Sequence, residues 1–86
     1  MAVLTAQNMF QVFKDGITTK AVIYAARNVT TGDTYDCAGQ FLNLISGIYA
    51  DAVTRVQVSG LSGTVITIPA GLANADGYVI MFGGAA

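Results

Sequence analysis

Charged side chains are rare in this chain, and the side chains that most enzymes use for catalysis are rarer still. Of 86 residues, four are Lys or Arg, five are Asp, none is Glu or His, and one is Cys. A hydroxyl nucleophile needs an adjacent base, which is most often histidine. We therefore predict that the protein is not an enzyme and has no catalytic residues.

The same scarcity argues against the common ligands. Cys37 has no second cysteine with which to form a disulfide or a multi-cysteine zinc site, so we interpret it as a small buried apolar residue. The net charge is −1 and the four cations are scattered, whereas nucleic-acid binding needs a basic surface. No glycine-rich phosphate-binding motif is present. We predict no cofactor, no metal ion and no nucleic-acid partner.

Apolar side chains, in contrast, are abundant. Hydrophobic residues make up 53% of the chain and charged residues 10%, against about 25% charged in an average soluble domain. The length fits a single domain, 1–86, and a domain of this size buries only roughly 60 to 65% of the surface of its unfolded chain. We therefore expect apolar surface to remain exposed on one copy and to contact other copies in a homo-oligomer.

The distribution of apolar residues does not predict a membrane protein. No basic segment followed by an apolar run stands at the N-terminus, so we expect no signal peptide and synthesis in a cytoplasm. The longest uncharged run, 56–75, contains Pro69 and several glycines, which are incompatible with a continuous membrane helix. We expect strands and turns there instead.

The N-terminal segment has apolar residues at helical spacing. Met9, Phe10, Val12 and Phe13 lie at i, i+1, i+3 and i+4, and Gly16 follows where a helix would end. This pattern predicts a short helix over 6–15. The alternative is a strand from Asn8 to Lys14 that turns at Asp15-Gly16 into the next segment, because that dipeptide is a strong hairpin signal.

The rest of the chain reads as short strands separated by turns. We predict strands over 20–27, 33–36, 50–59, 64–69 and 77–82, with 50–59 and 64–69 paired as a hairpin. Residues 37–46 lack clean alternation, so we expect a loop there, and the Gly and Ala residues after Phe82 form a flexible tail. The predicted fold is mainly β, α+β at the margin: a small antiparallel sandwich or barrel of about five strands with one N-terminal helix.

Two groups of residues are candidates for a site. Asp33 and Asp36, with Asp51 nearby, form a weak calcium candidate, but their spacing matches no calcium loop, and we favour roles in turns. The aromatic residues are spread through every segment, which is typical of core anchors. Among the aromatics we expect Tyr35 and Tyr49 first at an oligomer interface. We also predict that the apolar side chains of 78–82, or those of 9–13, are shared between the core and an oligomer contact. The interface candidates are Phe10, Phe13, Tyr35, Tyr49, Tyr78, Ile80 and Phe82.

A set of features recurs in order along the chain: a leading Met-Ala, the early amphipathic segment, V-T-T-G-D-T-Y-D at 29–36, R-V-Q-V-S-G-L-S-G-T-V-I-T-I-P-A-G at 55–71 and the closing apolar strand. In this order the features resemble those of small head decoration, or cement, proteins of tailed bacteriophages. The resemblance implies a virion structural protein, assembled in the host cytoplasm, that binds the major capsid protein on the head surface. It also implies a homo-oligomer, with a trimer favoured, that stabilises the shell without chemistry.

Two other functions fit the same composition. A tail-tube, connector or baseplate ring component would use similar strands to close a ring. A free-standing β binding module for carbohydrate or peptide would use exposed aromatics together with Asp33 and Asp36. Such a module should be a monomer with ordinary surface polarity, and the low charge speaks against it.

Overall fold

The protein is folded almost entirely from β-strands. The computed structural model describes residues 2–5, 7–16, 18–58 and 60–85. None of these residues lies in a helix, so they form no helix long and apolar enough to cross a membrane. The eight strands are β1 Met9–Asp15, β2 Thr19–Val29, β3 Thr34–Asp36, β4 Phe41–Ala50, β5 Arg55–Gln57, β6 Gly60–Ser62, β7 Val65–Thr67 and β8 Ala75–Ala85. The predicted β class is therefore confirmed.

The strands form two antiparallel sheets. The larger has five strands in the order β1-β2-β8-β4-β5, and the smaller has three in the order β3-β7-β6. The smaller sheet is extended by the N-terminal segment, since Val3 bridges to Thr34 and the amide of Leu4 donates to the carbonyl of Thr34 at 2.7 Å. β8, with eleven residues, lies at the centre of the larger sheet.

The hydrophobic core lies between the two sheets. Alternate residues in the middle of β2 and β8 are buried, as the period of two in a strand requires. β8 contributes Val79 and Met81, and the small sheet contributes Ile66. The ring of Tyr24 on β2 meets that of Tyr35 on β3 edge to face, with centroids 5.5 Å apart. The small sheet thus covers one face of the large sheet, which we call the inner face.

The helix predicted over 6–15 is wrong, and the alternative strand is correct. β1 pairs antiparallel with β2 through a connection that contains Gly16. The misleading spacing has a physical cause, because the register shifts between Gln11 and Phe13 and Val12 is an extra residue in a β-bulge. The bulge places Phe10 and Phe13, three residues apart, on the same face. A bulged strand therefore imitates the spacing of a helix.

The loop predicted over 37–46 is also wrong, because β4 begins at Phe41. Its pairing with β8 shifts register twice, between Phe41 and Asn43 and between Leu44 and Ser46. Each shift breaks the alternation of apolar and polar residues, which explains why no strand pattern is visible in the sequence.

The predicted strand 50–59 is divided in the structure. Asp51 begins a turn in which its Oδ1 accepts hydrogen bonds from the amides of Val53 and Thr54, at 2.9 and 2.6 Å. Only Arg55–Gln57 then forms a strand, β5, and it pairs with β4 rather than with β7. The hairpin partner of β7 is β6, which the sequence reading treated as part of a turn.

The remaining strand predictions hold. Segments 20–27, 33–36 and 77–82 correspond to β2, β3 and β8. The flexible tail predicted after Phe82 is wrong for residues 83–85, because β8 continues to Ala85. Gly83 allows this, since a Cβ there would collide with the backbone carbonyl of Asn43 on the neighbouring strand.

Gly16 is the residue on which the first hairpin depends. Its φ is +99°, and a Cβ at this position would collide with the carbonyl oxygen of Thr19. We predict that Gly16→Ala lowers the free energy of unfolding by about 2 kcal/mol or more, because the substitution adds both backbone strain and a steric clash. Chemical denaturation monitored by circular dichroism measures the change.

Gly39→Ala is the matched control, because an added Cβ at Gly39 meets no atom within 4 Å. Equal effects of the two substitutions would contradict the role assigned to Gly16.

Candidate functional site

The second face of the large sheet, which we call the outer face, is covered by no other part of the described chain and is largely apolar. The pairing registers place its side chains in three rows that cross the sheet. The middle row consists of Phe13, Ile23, Ile80, Ile48 and Gln57. On one side of it lies the row Phe10, Ala25, Tyr78, Ala50 and Arg55, and on the other the row Asp15, Ala21, Phe82 and Ser46.

The large side chains of this face are open to solvent. Phe13 and Tyr78 are 53% and 54% exposed, and Phe10, Ile48 and Phe82 are between 38% and 43% exposed. Single exposed apolar residues are ordinary, but a contiguous apolar surface marks a site of association. The outer face is therefore the candidate surface for association.

The structure brings most of the predicted interface residues together. Phe10 and Phe13 from β1 lie on the outer face with Tyr78, Ile80 and Phe82 from β8, although these strands are separated by β2. The sequence reading missed Ile23 and Ile48, which complete the middle row. Ile48 belongs to β4, whose bulges interrupt the alternating pattern. The sequence therefore predicts neither this strand nor the outward position of Ile48.

The other two candidates lie elsewhere. Tyr49 is fully buried on the inner face, where its hydroxyl donates to Oδ2 of Asp51 at 2.8 Å. Burial and this hydrogen bond raise the pKa of Tyr49 to about 12. Tyr35 is half-buried against Tyr24, and burial raises the pKa of Tyr35. The Tyr49 side chain is therefore not accessible to a second copy.

Charge on the outer face lies at its margins, where the alternation of β2 and β8 turns Arg27 and Asp76 outward and the two edge strands add Asp15 and Arg55. Asp15 ends β1 at one edge of the sheet, and Arg55 begins β5 at the other edge. The two residues lie in opposite outer rows, so they stand diagonally across the face, with Ile80 of the central strand between them. Both are exposed, and Oδ1 of Asp15 accepts a hydrogen bond from the amide of Gly16 at 2.8 Å.

A cavity of about 350 Å³ opens between β1, β2 and β3. Its walls include Met9, Tyr24, Tyr35 and Cys37, and at its rim Nε2 of Gln40 donates to Oε1 of Gln11 at 2.6 Å. Burial raises the pKa of the Cys37 thiol to about 12, against the opposing effect of a hydrogen bond with Tyr24. A thiol with such a pKa is a packing group rather than a nucleophile.

The acidic residues of the calcium candidate are engaged in turns. Oδ1 of Asp33 accepts from the amide of Ala2 and Oδ2 from that of Thr30, at 2.9 and 3.0 Å. Oδ1 of Asp36 accepts from the amide of Ala38 and the hydroxyl of Thr64. Within the described ranges, no three Asp or Cys side chains are grouped so that they could hold a metal ion. The predicted turn roles of Asp33 and Asp36 are confirmed by these hydrogen bonds.

No protein-family model, no curated protein and no solved structure matches this chain. The likeness to phage head decoration proteins therefore stays a prediction.

The turn at Asp51 gives a pH dependence that can be measured. Hydrogen bonds from the amide of Val53, the hydroxyl of Tyr49 and the amide of Thr54 lower the pKa of Asp51 below its usual 3.8. A lowered folded-state pKa stabilises the protein above the unfolded-state value, and this contribution is lost as the pH falls through the folded-state value. We predict that Asp51→Asn lowers the melting temperature at neutral pH.

The difference in melting temperature between the wild type and Asp51→Asn should shrink as the pH falls below about 3.8, the usual pKa of this carboxyl group. Thermal unfolding of both proteins across this pH range measures it. A difference that is constant with pH would show that the charge of Asp51 is not what stabilises the turn.

The burial of Cys37 predicts its reactivity. Its side chain is 2% exposed and its pKa is about 12, so little thiolate forms and little of it is accessible. We expect N-ethylmaleimide at about pH 8 to modify the folded protein at least about 100-fold more slowly than the protein in denaturant. Mass spectrometry of timed samples measures both rates, and equal rates would contradict the assigned burial.

Proposed function

We propose that the protein is a non-enzymatic structural component of a virion, and specifically a head decoration protein that associates with copies of itself and with the major capsid protein. The observation that supports this proposal best is the outer face, on which β1, β4 and β8 of one sheet present large apolar side chains to solvent. Association with protein surfaces removes such a face from water.

The five Asp side chains and Lys20 hold parts of the fold together, which supports a structural role. Each of the five Asp side chains accepts a hydrogen bond from a backbone amide close to a turn or a strand end, at Gly16, Ala2, Ala38, Val53 and Asn28. Lys20 is buried, and its Nζ donates to the backbone carbonyl and Oε1 of Gln40, at 2.8 and 3.0 Å. These charged groups hold loops and strand ends in place. A shell component that must be mechanically stable would need such anchoring.

A phage head also offers a use for a small two-layered protein of low charge. A shell carries many copies of each component, so many modest contacts add up to a large stabilisation. Few charges mean that little desolvation opposes each contact. These properties suit a component that stabilises the capsid shell by covering part of its surface.

The test is the position of the protein in virus particles. Particles released from cells that carry the gene are purified and probed with a gold-labelled antibody against the protein, and electron microscopy locates the label. We expect label over the heads. Label over tails would instead favour a tail-tube, connector or baseplate ring component, and particles without label would overturn the assignment to a virion.

A gene deletion provides the control and a second readout. Particles that lack the protein should bind no antibody, and their heads should break at a lower temperature than wild-type heads, because a decoration protein stabilises the shell. Adding back the purified protein should restore the wild-type value. Heads of unchanged stability would contradict the decoration role.

The cavity between β1, β2 and β3 supports the alternative of a small binding module, since its walls combine two tyrosines with two glutamine amides. A module of that kind needs no partner on the outer face. If the purified protein were a monomer that bound a carbohydrate or peptide at this cavity, the binding module would replace the virion component as the proposed function.

A further inference from the structure

We propose that the cavity between β1, β2 and β3 is a binding site for a single neutral sugar ring. This inference goes beyond the proposed structural role and does not depend on it. It deepens the alternative function that the cavity supports, because it names the class of ligand and the groups that would hold it.

The cavity lies at the edge of the sandwich, where the edge strand β1 of the large sheet faces the edge strand β3 of the small sheet. Met9 and Tyr24, each 2% exposed, and the half-buried Tyr35 give it apolar walls. Its volume of about 350 Å³ is at the small end of the roughly 300 to 1,000 Å³ of ligand pockets. A space of this size fits one ring better than an oligosaccharide or a peptide.

The amides at the rim of the cavity have a fixed orientation, which a buried lysine sets. Nζ of Lys20 donates to the backbone carbonyl and to Oε1 of Gln40, at 2.8 and 3.0 Å. An ammonium group can only donate, so Oε1 of Gln40 accepts and its Nε2 donates to Oε1 of Gln11, at 2.6 Å. The Nε2 group of Gln11 makes no hydrogen bond with the described residues. The rim therefore presents a free amide donor at Gln11.

A carboxylate acceptor borders the same cavity. Asp36 is a lining residue, and its hydrogen bonds with the amide of Ala38 and the hydroxyl of Thr64, at 2.9 and 2.7 Å, both go to Oδ1. These two bonds hold the side chain in place. Oδ2 accepts no hydrogen bond from the described residues, so it is open to a ligand.

The tyrosine hydroxyls and the thiol of the cavity are uncharged at neutral pH. Burial raises the pKa of Tyr24 and of Tyr35, and it raises the pKa of Cys37 to about 12. The hydroxyl of Tyr35 makes no hydrogen bond with the described residues. It can therefore either donate to a ligand or accept from one.

The charges around the cavity favour a neutral ligand. Among the described lining residues, Asp36 alone is charged. The ammonium group of Lys20 lies directly behind Gln40, so its positive field offsets part of the negative field of Asp36. An anion would meet the carboxylate without a lining cation to bind it, and a cation would meet the field of Lys20.

A sugar ring has the two kinds of surface that these groups require. Its C–H faces are apolar and pack on aromatic and aliphatic side chains, and its hydroxyls both donate and accept. A purely apolar ligand would exclude water and leave the Gln11 amide and the Asp36 carboxylate without partners. A flat aromatic ligand is held best between parallel walls, whereas the rings of Tyr24 and Tyr35 meet at 69°.

The test is a titration of the isotope-labelled full chain, followed by NMR. The sugar probes are N-acetylglucosamine and the methyl glycosides of glucose, galactose and mannose, and tetramethylammonium and adenosine serve as a cationic and a flat aromatic probe. We expect at least one sugar to bind with a dissociation constant below about 10 mM. The amide signals that shift should be those of residues 9–11 and 35–40. No binding of any sugar, or tighter binding of tetramethylammonium or adenosine, would overturn the proposed ligand class.

The amide donor is tested by Gln11→Leu, which changes an exposed side chain. The matched control is Gln57→Leu, the same change at an exposed position on β5, the opposite edge strand of the large sheet. We expect Gln11→Leu to raise the dissociation constant of the bound sugar at least about fivefold and Gln57→Leu to leave it within about twofold. Equal effects of the two substitutions would contradict the role of Gln11.

The acceptor is tested by Asp36→Asn. The amide oxygen of asparagine can still accept from Ala38 and Thr64, while an NH₂ donor replaces Oδ2. We expect the dissociation constant to rise at least about tenfold, because a charged acceptor becomes a donor. The amide signals far from the cavity should keep their wild-type positions, which shows that the fold is retained. A sugar that binds Asp36→Asn and Gln11→Leu as tightly as the wild type would overturn the assignment to this cavity.

Failure of this site is distinguishable from failure of the proposed function. Gold label over the heads, on a protein that binds none of the sugars, would overturn the sugar site alone. Sugar binding with the expected response to the variants, by a protein that is absent from virus particles, would support the site and overturn the virion role.

Discussion

The structure depends on one constraint: its central strand, β8, is apolar on both sides, and the described part of the chain covers only one of them. Val79 and Met81 face the small sheet and are completely buried, whereas Tyr78 and Phe82 face away from it and remain exposed. Three short strands and the N-terminal segment supply enough surface for one layer of core and no more. The outer face is the side of the five-stranded sheet that the described residues leave without a second layer.

The sequence was informative wherever the strands are regular. β2 and β8 alternate without interruption over most of their length, and both were predicted near their true positions. β1 and β4 contain bulges, and each bulge moves the following residues to the opposite face. A rule based on a strict period of two cannot recognise such strands, because the residue that breaks the period is itself part of the strand. β1 and β4 are recognised as strands only through their pairing with β2 and β8, and that pairing belongs to the tertiary structure.

Similar reasoning explains what could be predicted of the outer face. The apolar character of Tyr78, Ile80 and Phe82 is visible because Val79 and Met81 between them are also apolar, and this marks a strand that needs cover on both sides. The identity of its neighbours is not visible, because β2 and β4 come from distant parts of the chain and their order in the sheet depends on topology. Tyr49 could not be placed from the sequence, because an aromatic ring with a hydroxyl suits a core position and an interface position equally well. Only the strand register shows that Tyr49 lies on the inner face.

The two edge strands of the large sheet are poorly suited to pairing with a further strand. An exposed edge strand invites another strand to pair with it, and natural sheets discourage this with short strands and charged residues. β5 has three residues and begins with Arg55, while β1 is bulged and ends in Lys14 and Asp15. Both edges are therefore poor templates for extending the sheet, which disfavours open polymers built edge to edge. The outer face, with its exposed Phe13 and Tyr78, is the larger apolar surface that an association could bury.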